Sequence, residues 1–495
     1  MRSKIIHLVL GLILVVLLSV CTIKALASDD GYKQCENTVK KWASSSVDHK
    51  VQEDKHSLRD LLFFLHVPRT GGRTYFHCFL KKLYSNSQEC PRSYDKLRFD
   101  PRKANCRLLS THDDYSMMSK LPKEKTSVVT ILRNPIDRVF STYEFSVEVA
   151  ARFLIHPNLS SVAKMAQRAR RKTSAVSTLD IWPWKYLVPW MREDLFARRD
   201  ARKLRGQSHL VTNDSYDMED VLMPLHEYIN DPIARDIVHN GATFQIVGLT
   251  NNSYFGEAHE VRHCVLKYHS LGDLVLEVAK RKLDNMLYVG LTENHKESAT
   301  MFANIVGSQV ISQHTISSSE KRSLLSSTNS DLTGQSNSTH ETLKNVSSTG
   351  EDEVRRENLT VGKLMEAYES CIANLRNSQA ERRVNSLKRI SPANFTKEAR
   401  RQVSKILIEE IESLNSLDMK LYTYAQHIFT KQQTHVLHNM VSAQEIQTNT
   451  QSTSAYPIFN NPPSWKLSIS VTALLLVLFI FLFVNSRRRT SKVKL

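Results

Sequence analysis

The chain alternates between short apolar runs and stretches of helical spacing. Residues 61–67 form an apolar run that predicts a buried strand, followed by a glycine turn and a helix over about 75–84. Residues 107–110 and 128–132 predict two more strands, and Pro135 after the second suits the first turn of the next helix. Two later runs, 244–249 and 287–290, are short, apolar and closed by glycine, and are read as further strands. Strands separated by helices predict an α/β domain built on a largely parallel sheet. Between 397 and 429, apolar residues recur every three or four positions, from Val403, Ile406 and Leu407 to Tyr424 and Ile428. That spacing predicts an amphipathic helix or helix pair packed on the core. No internal repeat is evident.

Two polar stretches interrupt this pattern, and two long apolar runs close its ends. Residues 308–357 are rich in Ser, Thr and Asn, and read as a disordered, glycosylated insert. A polar stretch over 434–466, with Asn461, Pro462 and Pro463 near its end, reads as a stem. At the start, Arg2 and Lys4 precede an apolar run and the small-residue pattern Ala25-Leu26-Ala27, the layout of a signal peptide over 1–27. Residues 467–484 carry no charge and are followed by five basic residues. As a helix they span roughly 27 Å, which fits a thin bilayer, with the basic tail 485–495 on the cytosolic side. The expected order is then signal peptide, N-terminal lumenal segment (28–57), lumenal domain (58–433), stem, membrane helix and tail, in type I topology.

Composition refines this picture. The six cysteines outside the leader, Cys35, Cys78, Cys90, Cys106, Cys264 and Cys371, favour up to three disulfides in an oxidising compartment, with the pairing left open. Sequons at Asn158, Asn213, Asn251, Asn337, Asn345, Asn358 and Asn394 fit lumenal exposure and are candidate glycosylation sites. The formal charge of +17 suits an acidic partner. A secretory leader removes the chain from nucleic acid. No Cys/His spacing suggests a metal site.

Three stretches carry candidate chemistry. In "HVPRTGGRT" a strand delivers Pro68, Arg69, Thr70, Gly71, Gly72, Arg73 and Thr74 into a helix start, where backbone N–H groups, hydroxyls and arginine suit phosphate or sulfate. The Walker spacing is absent, and the same residues also fit an ordinary glycine turn. In "TILRNPIDRVFSTYEF" Arg133 leaves a strand end and Ser141 follows on the next helix, a pair suited to a second phosphate or to plain strand capping. In "CRLLSTHDDYSMM" His112 follows a short strand and is a candidate proton acceptor, with Asp113 or Asp114 as orienters.

Together these stretches resemble the membrane-bound sulfotransferases that use 3′-phosphoadenosine 5′-phosphosulfate. The closer likeness is to heparan sulfate 6-O-sulfotransferases, which "YVGLTENHKESATMF" and "LNSLDMKLYTYAQHIF" also resemble. The combination of this core with a leader and a C-terminal anchor is similar to plant-type tyrosylprotein sulfotransferases. The resemblance implies a P-loop-like sulfotransferase fold, with a central parallel sheet flanked by helices. It also implies that residues 68–74 hold the donor's 5′-phosphosulfate, Arg133 and Ser141 its 3′-phosphate, and that His112 is the catalytic base with Arg69 stabilising the leaving group. No metal is required by that scheme. The family loop usually has lysine at position 69; arginine keeps the charge but does not readily release a proton.

The implied acceptors are tyrosines in acidic, secreted peptides or proteins, and the implied location is the Golgi membrane. A polysaccharide 6-O-sulfotransferase is the alternative, and a non-catalytic receptor for sulfated ligands a third reading. Residues 164–205 hold 12 Lys or Arg against four acidic residues, interleaved with Trp182, Trp184, Tyr186 and Trp190. That charge suits an acidic peptide and an anionic sugar equally.

Overall fold

The computed structural model describes residues 30–46, 56–90, 106–155, 216–217, 223–316, 359–387, 390–391 and 397–451. Its strands in chain order are β1 (Leu61–Leu65), β2 (Leu108–Thr111), β3 (Thr126–Leu132), β4 (Tyr216–Asp217), β5 (Tyr288–Leu291) and β6 (Ile390–Ser391). Four of them form an all-parallel sheet in the order β2-β1-β3-β5, while β4 and β6 pair separately.

The sheet is central because its strands are apolar on both faces. Every residue of β1, β3 and β5 is buried, as a parallel sheet covered by helices requires. Phe63 and Phe64 are nearly inaccessible, and full burial of such a side chain is worth about 1.5–3 kcal/mol. One polar residue inside, Thr130, donates its hydroxyl to the Leu65 carbonyl at 2.8 Å, so it carries no unmet hydrogen bond.

The strand order decides where ligands go. From β1 the chain moves to β2 on one side, then crosses to β3 on the other, so β1 and β3 flank a topological switch point. Parallel register aligns Leu65 with both Thr111 and Thr130, and Leu132 with Leu291. The loops after β1, β2, β3 and β5 therefore leave the sheet on one edge.

Helices cover the sheet and disulfides tie the covering to it. Cys35 and Cys264 join the 30–46 helix to Ala258–Lys267, Cys78 and Cys371 join the helix after β1 to Val361–Leu387, and Cys90 pairs with Cys106. All six candidate cysteines are thus paired.

Several expectations shift. The helix after β1 starts at Gly72 rather than near Tyr75, and widens into a π-turn over Phe76–Leu80 before Lys81–Leu83. Of residues 244–249, read as a strand, 244–247 lie in the helix Gly241–Val247, and Gly248 and Leu249 follow its end. A short run apolar on every side fits a buried strand or a buried helix, and left-handed Asn240 and Gly248 delimit it as a helix. The amphipathic C-terminal segment breaks into Lys397–Arg401, Lys405–Leu414 and Ser416–Gln451, with Ser404 capping the second by accepting from the Leu407 N–H.

The helix after β5 continues through residue 316 with Val310 buried, so the first residues of the polar stretch at 308–357 are helical. Helix also extends to Gln451 within the expected stem. The rest of the insert, the leader, the basic stretch 164–205 and the apolar run 467–484 lie outside the described residues. Among the described residues no helix is long and apolar enough to cross a membrane. Contacts divide the chain into residues 1–436 and 437–495, and the sheet and its edge belong to the first unit.

Candidate active site

The loop after β1 turns on two left-handed residues. Arg69 has φ 68° and Gly71 φ 82°, a region that costs a side-chain-bearing residue strain and glycine little. Thr70 is buried and donates its hydroxyl to the Val67 carbonyl at 2.9 Å, so it braces the loop. Its own carbonyl accepts from the Thr292 hydroxyl at 2.7 Å, which also donates to Leu132 O at 3.0 Å. Thr292 therefore pins the loops after β1 and β3 to the end of β5. Pro68 is buried, Thr74 half-buried and Arg73 exposed.

Gly71 caps the following helix with no side-chain hydrogen bond at that end. Thr74 N closes the first turn on the Gly71 carbonyl at 2.9 Å, and the dipole at this helix start favours negative charge. Gly72 is fixed by packing: a Cβ there would lie 2.3 Å from His66 Cδ2 and 2.5 Å from His66 Nε2. The His66 ring therefore sits directly on the start of this helix.

Arg69 points across the switch point. Its Nε and Nη2 donate to Ser141 Oγ at 3.2 and 3.1 Å, and its guanidinium lies over the Phe145 ring at 4.5 Å. Burial, with neighbouring Arg133 adding repulsion, lowers the Arg69 pKa to about 10, so it stays cationic near neutrality. Arg133 donates from Nη1 to the Arg69 carbonyl at 3.3 Å. Its Nε is buried with no hydrogen-bond partner among the described residues, 4.0 Å from Glu293 Oε1. Burial lowers the Arg133 pKa as well, against Asp137 and Glu293. Two desolvated guanidinium groups with an unmet donor make this spot receptive to an anion.

The helix Pro135–Ile155 holds Ser141 in place through its own motif. Asn134 Oδ1 accepts from the N–H groups of Ile136 and Asp137, an N-cap just before Pro135. Arg138 turns into the interior, where Nη2 meets Asp418 Oδ2 at 2.8 Å and Nη1 donates to Ile237 O. Asp418 also accepts from Ala242 N, Thr243 N and the Thr243 hydroxyl. On the same helix, buried Glu144 receives Arg400 Nε at 2.5 Å and Arg383 Nη2 at 3.2 Å.

His112 stands beside the glycine loop. Its ring stacks on His66 with centroids 4.1 Å apart. Its Nδ1 lies 2.9 Å from the His66 carbonyl, which accepts only, so Nδ1 carries the proton in this contact. The orienting group at Nδ1 is this carbonyl. The two aspartates hold the turn. Asp113 accepts from the hydroxyl of Thr111 and the amide of Asn252, and Asp114 caps Tyr115–Lys120 while receiving Thr250.

Gln245 completes the arrangement, and sequence reasoning missed it. Fully buried, it donates from Nε2 to His112 O at 2.9 Å and His66 O at 3.2 Å. The signal was a lone amide inside the apolar run "TFQIVGL". Thr292, Glu293 and the ring of His66 were likewise unassigned, although "YVGLTENHKESATMF" and "HVPRTGGRT" contain them.

The structure thus brings Arg69, Arg133 and Ser141 together, and sets Gly71, Gly72 and His112 on the same sheet edge. Among the described residues no group of three or more His, Cys, Asp or Glu is placed to hold a metal. Of the candidate glycosylation sites, Asn251 lies in an exposed turn, and the other six fall outside the described residues.

No protein-family model matches the chain. It is 57% identical over 479 residues to the protein-tyrosine sulfotransferase of Arabidopsis thaliana, covering 94% of this chain and 95% of that relative. A parallel α/β fold with an anion-receptive switch point and this likeness define a sulfotransferase. The chain belongs to the plant-type protein-tyrosine sulfotransferase family.

Proposed function

We propose that the protein transfers a sulfuryl group from 3′-phosphoadenosine 5′-phosphosulfate to tyrosine hydroxyls of acidic secreted peptides or proteins. The observation that carries this is the convergence of Arg69, Arg133 and Ser141 beside the glycine loop and His112, on one edge of the sheet. The donor supplies the sulfuryl group on a phosphate leaving group. The helix start at Gly71 and Gly72, with Arg69, receives its 5′ end, and Arg133 and Ser141 receive the 3′-phosphate, Arg69 bridging the two through its bonds to Ser141.

A phenol has a pKa of about 10 and is mostly protonated near neutrality. His112 Nε2 takes that proton as the phenol oxygen attacks sulfur, while Nδ1 keeps its proton on the His66 carbonyl. The Arg69 charge and the loop N–H groups stabilise charge on the departing phosphate. With the leader and C-terminal anchor read from the sequence, the domain works in the Golgi lumen on a type I membrane anchor. Incubation with labelled donor and either an Asp-Tyr peptide or desulfated heparan tests this. Label in the peptide alone supports it, and label in the polysaccharide alone assigns the rival activity. Label in neither, from folded protein, removes the enzyme reading of the site.

A further inference from the structure

His66 has no part in the scheme above beyond its carbonyl, yet its ring lies between the two functional elements. One face stacks on His112 at 4.1 Å, and the edge carrying Cδ2 and Nε2 abuts Gly72 at the start of the glycine-loop helix. Phe64 lies behind it at 5.6 Å. Backbone bonds hold it there: His66 N donates to Thr111 O at 3.1 Å, and Gln245 donates to its carbonyl. Two imidazoles at this separation disfavour double protonation, because like charges so close repel. Among the described residues, the charged groups on the elements around it include Arg69 and Arg73 in its own loop, and Asp113 and Asp114 after His112, whose carboxylates receive Thr111 and Asn252, and Ser116 and Thr250. Arg69 is committed to Ser141 and keeps its proton near neutrality, which leaves proton donation at the loop to another group.

We propose that His66 and His112 form an acid–base pair holding one proton charge between them, with His66 as the acid toward the leaving phosphate and His112 as the base toward the attacking hydroxyl. This rests on the donor site described under the proposed function. In the transfer, the acceptor oxygen–sulfur bond forms and the acceptor's proton moves to His112 Nε2. The bond from sulfur to the 5′-phosphate oxygen breaks with its electron pair on that oxygen, which takes the proton from His66. The pair begins as His66 cation and neutral His112 and ends with the charge on His112, so its total charge is unchanged and sulfur is neither oxidised nor reduced.

The test uses the full chain and the product nucleotide, adenosine 3′,5′-bisphosphate, titrated calorimetrically in buffers of different ionisation enthalpy at pH 7.5. An imidazole of ordinary pKa, about 6.5, is mostly neutral at pH 7.5, and the nucleotide's negative charge draws in the one proton that the pair holds in the complex, so binding takes up protons, up to one per nucleotide, and His66→Gln abolishes the uptake. In sulfate transfer, His66→Gln lowers kcat about 100-fold, the scale of one lost general acid, while retained nucleotide binding shows that the fold survives. Wild-type binding without proton uptake, or undiminished uptake in His66→Gln, overturns the pair while leaving the donor site intact. Failure of wild-type protein to bind the nucleotide overturns the donor-site reading itself, and the pair with it.

Discussion

Arg69 and Ser141 are 72 positions apart, yet Arg69 places Nε and Nη2 at 3.2 and 3.1 Å from the serine hydroxyl across the β1/β3 switch point. The loop expected to hold the donor's 5′ end and the helix expected to hold its 3′ end are thus one bonded unit. Arg69→Ala is predicted to weaken adenosine 3′,5′-bisphosphate binding by roughly 10- to 100-fold, the scale of a charged hydrogen bond of about 1.5–3 kcal/mol. It also lowers turnover. In a double-mutant cycle read by calorimetry, Arg69→Ala and Ser141→Ala should be non-additive; full additivity refutes the coupling.

Gly72 is predicted to be intolerant of a single methyl group. Its Cβ would fall 2.3 Å from the His66 ring, whereas one on Gly256 meets nothing within 4 Å. Gly72→Ala should cut sulfate transfer at least tenfold by displacing His66 and the loop, a rough figure for misplaced catalytic groups. Gly256→Ala should match wild type in the same assay. Equal activity of the two variants rules out the packing argument.

Arg138 and Asp418 form an interior ion pair, each side chain about 1% exposed. Removing one partner strands the other charge, at about 3–5 kcal/mol. Arg138→Met is predicted to lower the thermal midpoint sharply, since Asp418 also organises the start of the Gly241–Val247 helix. Denaturant unfolding checks this, and a loss below 1 kcal/mol contradicts it.

The same Arg138 shows what was legible in the sequence. The strand runs at 61–67 and 128–132, Pro135 and the glycine pair located the sheet and its switch point, because buried parallel strands are apolar throughout and helix starts favour proline. Arg133 and Ser141 were singled out by their position after a strand end, and the structure brings both to Arg69. Arg138, in the same motif, gave no hint of facing inward, because its partner lies 280 residues away. Gln245 was missed because helix and strand periods cannot be separated in so short an apolar run. Disulfide pairing was closed to sequence for the same reason as Arg138, with partners as far as 293 residues apart.

The Cys35–Cys264 bridge ties the 30–46 helix to the core, where Val39 and Trp42 are buried. Replacing both cysteines with serine is predicted to cost about 2–4 kcal/mol, with activity retained at low temperature because neither residue touches the switch point. A thermal melt of the double serine variant beside wild type, both without reductant, measures it. An unchanged midpoint would mean that packing alone holds this helix.

The central claim is that His112 is the base of a donor site assembled at the β1/β3 edge. The most direct test measures adenosine 3′,5′-bisphosphate affinity and sulfate transfer to a tyrosine peptide in the same preparation of His112→Ala. The account predicts nucleotide affinity within a few fold of wild type and transfer lowered by roughly 100-fold or more. Near-normal transfer would contradict it and remove His112 as the base.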